Sequence, residues 1–247
     1  MISWAPLRGR GPMREATVHA SAGNRATQIV GPGPIALWSM VAGGILWMVY
    51  GYFRFMAPQG PDVVWREDLG YSPILSNELF MLYNLPGVLA LLLTLWAALS
   101  FTRALTLHKQ KSRTKRAVQL LAVLAILFGL IAVVGQAILF DPLKTLGLAL
   151  GTPLLGLAML LAGMIIVRDP RSVSGYKRPM GPILIFLGLT GLFTLLLRPL
   201  MFALAFLPLT FGAAASAAFG AAWILLAFIL RDVPEWNGSP TPRTAAA

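Results

Sequence analysis

The stretch AVQLLAVLAILFGLIAVVGQAILF, residues 117–140, decides the fold class of this chain. It contains no charged residue, and its apolar side chains would cover every side of a helix rather than one stripe. In water such a helix would have to be buried completely. A membrane-spanning helix needs about 20 residues of this kind, because about 30 Å of hydrocarbon is crossed at about 1.5 Å per residue. The stretch therefore predicts a transmembrane helix.

Five further stretches have the same character. Two precede it, at residues 35–53 and 79–101, and one follows at 146–167. The apolar region 181–230 is too long for one span and suits two, at 181–205 and 208–230, with Pro199 and Pro208 marking the turn. Because every backbone group in lipid needs a hydrogen-bond partner within the chain, the spans are predicted to be helices. The predicted fold class is all-α: a polytopic transmembrane bundle of six spanning helices over residues 35–231.

The composition agrees with this prediction. Hydrophobic residues make up 57% of the 247 residues and charged residues only 12%, against about 25% charged in an ordinary soluble domain. These proportions exclude a soluble globular enzyme. The chain has no cysteine, which excludes disulfides and cysteine nucleophiles. Its net charge of +11 would suggest nucleic acid in a soluble protein, but here the basic residues lie between the apolar stretches and indicate topology. No nucleic-acid partner is predicted.

The lysines and arginines predict the orientation. Six of them lie in residues 103–116 without any acid, and sixteen of the twenty fall on the side that also holds both termini. Excess Lys and Arg mark the cytoplasmic side of a membrane, so both termini are predicted to be cytoplasmic and the protein to be a multi-pass protein of the cell (inner) membrane. The loop from Arg103 to Arg116 is expected to lie against anionic lipid headgroups. The four basic residues assigned to outer segments are Arg54, Arg66, Lys144 and Arg198.

Two segments flank the predicted bundle. Residues 1–34 are basic and have no apolar signal-peptide core, so they are expected to form a mobile cytoplasmic arm. Met13 is an alternative start that would shorten this arm. Residues 232–247 are polar and proline-containing, which predicts a disordered cytoplasmic tail.

Small residues recur at helical spacing in three of the predicted spans. Between helices in lipid, close packing of small residues provides much of the attraction. The pattern predicts flat helix faces that serve either packing within the chain or a dimer interface, and the sequence leaves both open. The residues are Gly147 and Gly151, Gly188 and Gly191, and Gly212, Ser216 and Gly220.

Tryptophans form a second pattern. Membrane proteins concentrate Trp and Tyr at the two membrane–water interfaces. Trp38, Trp47, Trp96 and Trp223 all lie at or near predicted helix ends. We therefore expect them to belong to aromatic belts.

A few polar residues are predicted to lie together near the outer membrane surface. Ionisable residues inside a membrane are costly and are usually functional. Arg198, Gln136 and Asn84 all fall within a few turns of predicted outer helix ends, and Glu78 and Asp141 lie at such ends. One hypothesis is an outward-facing polar vestibule, formed by helices two, three and five, in which Glu78 or Asp141 neutralises Arg198. The alternatives are that Arg198 extends to the outer headgroups and that the amides bond to helix backbones.

The sequence predicts no catalytic residue, no metal site and no cofactor. His19 and His108 lie outside the spans, and no HExxH, GxSxG or P-loop motif occurs. The favoured function is a non-enzymatic accessory, sensing or scaffold protein, either as a homo-oligomer or within a larger membrane complex. The alternatives are a small-molecule permease or channel that uses the polar vestibule, and a membrane enzyme acting on lipids.

The Leu/Ala/Gly-rich style of the spans is seen in LPGVLA at 85–90 and LLGLA at 154–158. In these stretches, in hydropathy and in loop charge, the chain resembles uncharacterised bacterial six-helix integral membrane proteins. The resemblance covers residues 35–231. It implies a six-helix membrane fold, and it carries no activity and no functional residue over to this chain.

Overall fold

The computed structural model describes residues 33–56, 76–104, 112–170, 179–203 and 210–233, and at 104, 112, 195–203 and 210 it describes the backbone alone. These residues form six helices and no strand, which confirms the all-helical class. Residues 1–32, with Met13, the loop 105–111 that is predicted to be cytoplasmic, and the tail from 234 onward lie outside the described part. The helices are α1 (Gly33–Phe55), α2 (Asn77–Ala104), α3 (Ser112–Ala137), α4 (Asp141–Arg168), α5 (Met180–Ala203) and α6 (Thr210–Arg231).

Five of the helices are long and apolar enough to cross a membrane: α1, α2, α3, α4 and α6. In α5 the stretch with described side chains, Met180–Thr194, is apolar but shorter. The chain is thus a helical protein with several candidate membrane spans. The count of six spans and the cytoplasmic placement of the termini stay predictions.

Five of the helices, α1 to α5, begin before the predicted spans, and local features account for two of these starts. The Ser76 hydroxyl accepts a hydrogen bond from the Leu79 backbone N–H at 3.1 Å, which caps α2 and lets it start at Asn77. The fourth predicted span began at residue 146, but α4 starts at Asp141, where Pro142 has the backbone angle of a first helical turn. Lys144 is therefore a helix residue, and its assignment to an outer connecting segment was wrong.

A three-residue turn, Ile138 to Phe140, joins α3 to α4. The Phe140 N–H donates to the Gly135 carbonyl at 2.8 Å, and the Leu139 N–H donates to the Gln136 carbonyl at 3.2 Å. This pair of bonds is a Schellman motif, whose penultimate position takes the left-handed conformation and is usually glycine. Here Leu139 takes it, with φ of 56°. A left-handed leucine costs about 1–2 kcal/mol, so packing of the two helices determines this turn rather than local preference.

The helices pack as a closed ring in chain order, with α6 returning to α1, and α2 also contacts α4. Helices that are neighbours in the ring run in opposite directions. Between α1 and α6, for example, Gly44 meets Gly220, whereas Gly51, further along α1, meets Ser216, which comes earlier in α6. The C-terminal ends of α1, α3 and α5 and the N-terminal ends of α2, α4 and α6 therefore share one end, which we call the turn end. The opposite end, called the basic end, exposes Arg103, Arg113, Arg116, Arg168 and Arg231.

Glycines bring three helix pairs into backbone contact. A side-chain carbon at Gly220 would overlap the Gly44 carbonyl oxygen of α1, and one at Gly156 of α4 would lie 2.9 Å from the Gly188 carbonyl of α5. Gly147 likewise lies against the backbone of α3. Such close approach provides van der Waals contact and is how helices associate in lipid. Each of the small residues singled out in the sequence is buried against another helix of this chain: Gly147, Gly151, Gly188, Gly191, Gly212, Ser216 and Gly220.

Aromatic rings fill the middle of the bundle. Trp47 of α1 is 3% exposed and packs edge-on against Phe219 of α6, with ring centroids 5.2 Å apart. Phe219 in turn contacts Trp223, which is fully buried. The aromatic-belt assignment is therefore wrong for Trp47 and Trp223, because both rings pack against Phe219 inside the bundle. Trp38 and Trp96 are exposed, as that assignment requires.

We expect Gly220→Ala to destabilise the bundle. The added methyl group has no space against the Gly44 carbonyl, so α1 and α6 must move apart at a cost of about 1–3 kcal/mol. The loss would be measured as a fall of about 2–4 °C in apparent Tm per kcal/mol in detergent.

Gly151→Ala is the matched control for this substitution. Its methyl group would meet Leu91 Cδ2 at 3.1 Å and the Ala125 carbonyl at 3.5 Å, which needs only a small side-chain adjustment. Equal Tm values for Gly220→Ala and the unmodified protein would show that the close contact of α1 with α6 does not hold the ring closed.

Candidate functional site

A buried lysine lies at the turn end, one turn into α4. The side chain of Lys144 is 1% exposed, although lysine is almost never buried without a partner. Its Nζ donates to Asn84 Oδ1 of α2 at 2.5 Å and to Asp141 Oδ1 of its own helix at 2.5 Å. The ammonium also lies 5.1 Å from the centroid of the Phe80 ring. Two helices thus supply a charged, a polar and an aromatic partner to one cation.

Helix geometry places these partners. Asp141 and Lys144 are three residues apart in α4 and so share a face. On α2, Phe80 and Asn84 are four residues apart and also share a face. The Asn84 amide nitrogen donates to the Phe80 carbonyl at 2.9 Å, so its oxygen points away from the helix backbone and toward Lys144. A charged hydrogen bond therefore connects α4 to α2.

The electrostatics of this group are balanced. One carboxylate and one ammonium leave no net charge, and Asp141 lies in the first turn of α4, where the helix dipole favours a negative group. Asp141 Oδ2 also accepts a hydrogen bond of 3.4 Å from Thr145 Oγ1. Removing one partner of such a buried pair costs far more than the pair contributes, because an uncompensated charge remains. We call Asn84, Asp141 and Lys144 the lysine cluster.

Gln136 lies beside the lysine cluster. It is 4% exposed, and its Nε2 donates to Met81 Sδ at 3.0 Å. Its Oε1 is buried and has no hydrogen-bond partner among the described residues. Because Met81 is three residues before Asn84, Gln136 faces the same turn of α2 that the lysine cluster contacts. An acceptor without a donor is left at this point of the bundle.

The sequence had grouped five residues in this layer. Asn84 and Asp141 come together through Lys144, and Gln136 lies next to them. Glu78 is exposed at the start of α2. Arg198 belongs to α5, but its side chain lies outside the described part. Asp141 has Lys144 as its basic partner, and the outward-facing vestibule of helices two, three and five stays a prediction.

Lys144 is the residue that sequence analysis missed. The sequence analysis counted Lys144 among the outer basic residues because it lies between two apolar stretches, next to Asp141 and Pro142. That assignment implied a solvated side chain. The available signal was the spacing of Asp141 and Lys144, which pairs them if the helix begins at residue 141. Asn84 within an otherwise apolar span was the second half of that signal.

The other buried polar groups bond mainly to their own helices. Ser39 donates to the Ile35 carbonyl, Thr94 to the Ala90 carbonyl and Ser216 to the Gly212 carbonyl, at 2.7–3.0 Å. Within the described ranges no group of three or more His, Cys, Asp or Glu side chains could hold a metal ion. The lysine cluster is thus the main concentration of polar chemistry in the described interior.

Comparison with known proteins adds no information about this site. No protein-family model matches the chain, and no curated protein or solved structure matches it. The lysine cluster has to be interpreted from its own contacts.

Asp141→Ala should lower the unfolding free energy by about 3 kcal/mol, because it leaves the Lys144 ammonium buried without its carboxylate. The double variant Asp141→Asn with Lys144→Met removes both charges and should lose clearly less. Denaturant titration in mixed micelles would measure both losses. The single variants Asp141→Asn and Lys144→Met, measured in the same way, would complete a double-mutant cycle and give the coupling energy.

Glu78→Ala provides the control, because Glu78 is an exposed carboxylate at the same end of the bundle. We expect it to change stability by less than about 0.5 kcal/mol. If Asp141→Ala were as mild as Glu78→Ala, the buried ion pair would not contribute to the fold.

Proposed function

We propose that this chain is a non-enzymatic integral membrane protein that acts through its surfaces, as an accessory, sensing or scaffold subunit. The observation that carries this proposal is the packed interior. Trp47, Phe219 and Trp223 fill the middle of the described bundle, each 3% exposed or less. Glycine contacts close the α1–α6 and α4–α5 pairs around them. An interior built in this way supports a rigid body rather than a solute pathway.

We further propose that the partner-facing surface lies on α3. Among the five helices that meet the length and hydropathy requirement for a span, α3 is the least buried. One face of it carries a continuous row of exposed apolar side chains that no described helix covers. This row, the α3 face, consists of Leu120, Val123, Leu124, Leu127, Leu130 and Val134.

A permease or channel is the second candidate, and the lysine cluster favours it. Buried charged residues at membrane depth often mark solute or ion pathways. The unpartnered Oε1 of Gln136 supplies an acceptor of the kind that a bound solute would use. A lipid-acting enzyme has no comparable support, because the described residues contain no acidic cluster at the predicted headgroup level.

The proposed placement in the membrane has six spans, both termini in the cytoplasm and the basic end toward anionic headgroups. The exposed Arg103, Arg113 and Arg116 at the basic end support the headgroup contact. The apolar helices support a multi-pass membrane protein, and the distribution of basic residues supports the cell membrane with this orientation.

Because the chain has no cysteine, single-cysteine variants report the orientation directly. Ile138→Cys at the turn end, 61% exposed, should react with a membrane-impermeant maleimide in intact cells. Thr114→Cys, exposed at the basic end, should react only after permeabilisation. The opposite labelling pattern would invert the topology, and equal labelling of both would contradict a spanning bundle.

A photo-crosslinking residue at Leu127, in the middle of the α3 face, should capture a discrete protein partner in cell membranes. The same residue at Trp223, which is buried, should capture none. The adduct would be resolved by gel mobility and identified by mass spectrometry as a second copy of this chain or as another subunit.

Liposome reconstitution separates the two candidate functions. We expect the passage of ions and small polar solutes to equal that of protein-free liposomes. Solute flux that disappears in Lys144→Met, together with only lipid adducts at Leu127, would replace the accessory role with transport.

A further inference from the structure

The surroundings of the Lys144 ammonium have the composition of a cation site. Asn84 Oδ1 and Asp141 Oδ1 are both 2.5 Å from Nζ, and the Phe80 ring presents its face at 5.1 Å. Carboxylate and amide oxygens are the ligands of hard cations, and aromatic faces attract compact cations such as ammonium. The site is almost closed to solvent, since the side chain of Asp141 is 19% exposed and that of Lys144 is 1% exposed.

Two polar atoms beside this site lack a close hydrogen-bond donor, and both are acceptors. Gln136 Oε1 is buried without a donor among the described residues. Asp141 Oδ2 has a hydroxyl contact of 3.4 Å, which is long for a bond to a carboxylate. Both atoms are acceptors, so the group they lack is a donor or a cation and not an anion.

We propose that Asn84 and Asp141, with the face of Phe80, form a monovalent cation site at the turn end, in which the Lys144 ammonium is a tethered resident cation. The side chain of Lys144 holds one positive charge where a free ion of the same charge would otherwise bind. This proposal is independent of the accessory role, because it concerns what the lysine cluster binds and not what the α3 face contacts.

The charge of the site selects the class of ion. With Lys144 removed, the site has one carboxylate and therefore one negative charge. Ca²⁺ takes six to eight oxygen ligands, and the described residues bring far fewer together. Potassium, sodium and ammonium match a single carboxylate with one amide oxygen and an aromatic face.

A tethered ammonium also explains why α4 begins where it does. Lys144 can reach Asn84 only if the turn before it is tight enough to bring α4 against α2. The left-handed Leu139 and the backbone contact of Gly135 with Lys144 produce that approach. Filling the cation site is thereby coupled to docking of the α3–α4 hairpin.

Lys144→Met tests the proposal, because methionine keeps an unbranched apolar stem of similar bulk but ends one atom before the position of Nζ and carries no charge. In detergent, its apparent Tm should rise by at least about 2–4 °C when N-methylglucamine, which is too large for the site, is replaced by potassium, sodium or ammonium at equal ionic strength. The unmodified protein should show no such difference, because its site is already filled. The variant protein could prove extractable in folded form only when a small cation is present. In that case the yield of folded protein in potassium, compared with the yield in N-methylglucamine, replaces the Tm comparison.

Two further variants make the outcome specific. Lys115→Met, the same substitution at the basic end, should show no dependence on cation identity. Lys144→Met combined with Asp141→Asn should lose the dependence, because the vacated site then has no charge. Equal stability of Lys144→Met in all four cations would overturn the proposal and indicate that water or protonation of Asp141 fills the vacancy. A shift that persists in the double variant would overturn it as well.

Discussion

Hydrocarbon offers no hydrogen-bond partner, and this constraint governs the whole bundle. Each polar group at membrane depth must be satisfied within the chain or left at a cost. The backbone meets the requirement by forming helices. The hydroxyls of Ser39, Thr94 and Ser216 meet it by donating to carbonyls of their own helix. Because these hydroxyls are satisfied inside their own helices, the contacts between α1 and α6 and between α4 and α5 depend mainly on shape, which glycine and aromatic packing provide.

The lysine cluster departs from this pattern, because its polar groups are satisfied across two helices. Neither Lys144 nor Asp141 can be satisfied by a helix backbone alone, so the two are paired with each other and with Asn84 of another helix. The ion pair lies within α4 and contributes little net stability. The hydrogen bond from Lys144 to Asn84 is what fixes the register, because any other register of α4 against α2 would leave the buried Asn84 oxygen without this donor. The same arrangement serves a structural and a binding role: it fixes the hairpin, and it builds an oxygen-lined site at the end predicted to face outward.

Much of the fold could be predicted because a transmembrane helix is a local property. The helix centres follow from unbroken apolar stretches, whereas several boundaries differ, and at α2 the difference comes from a specific contact of Ser76 that extends the helix. Asn84 and Asp141 could be assigned to one layer of the membrane from helical rise alone. Their joining through Lys144 could not be predicted, because a lysine at the edge of a hydrophobic stretch has the same sequence signal whether it faces water or turns inward. Trp47 and Trp223 show the same ambiguity, since an aromatic residue near a helix end suits an interface and a core equally well.

The sequence by itself determined that this chain forms apolar helices connected by charged segments, and where most of the basic charge lies. Those features depend on composition and spacing along one helix. Only the tertiary structure decided that α6 closes on α1, that two tryptophans fill the interior and that Lys144 reaches across to Asn84. These outcomes depend on which helix faces meet, and hydrocarbon-facing and helix-facing residues are equally apolar, so no pattern along the chain distinguishes them.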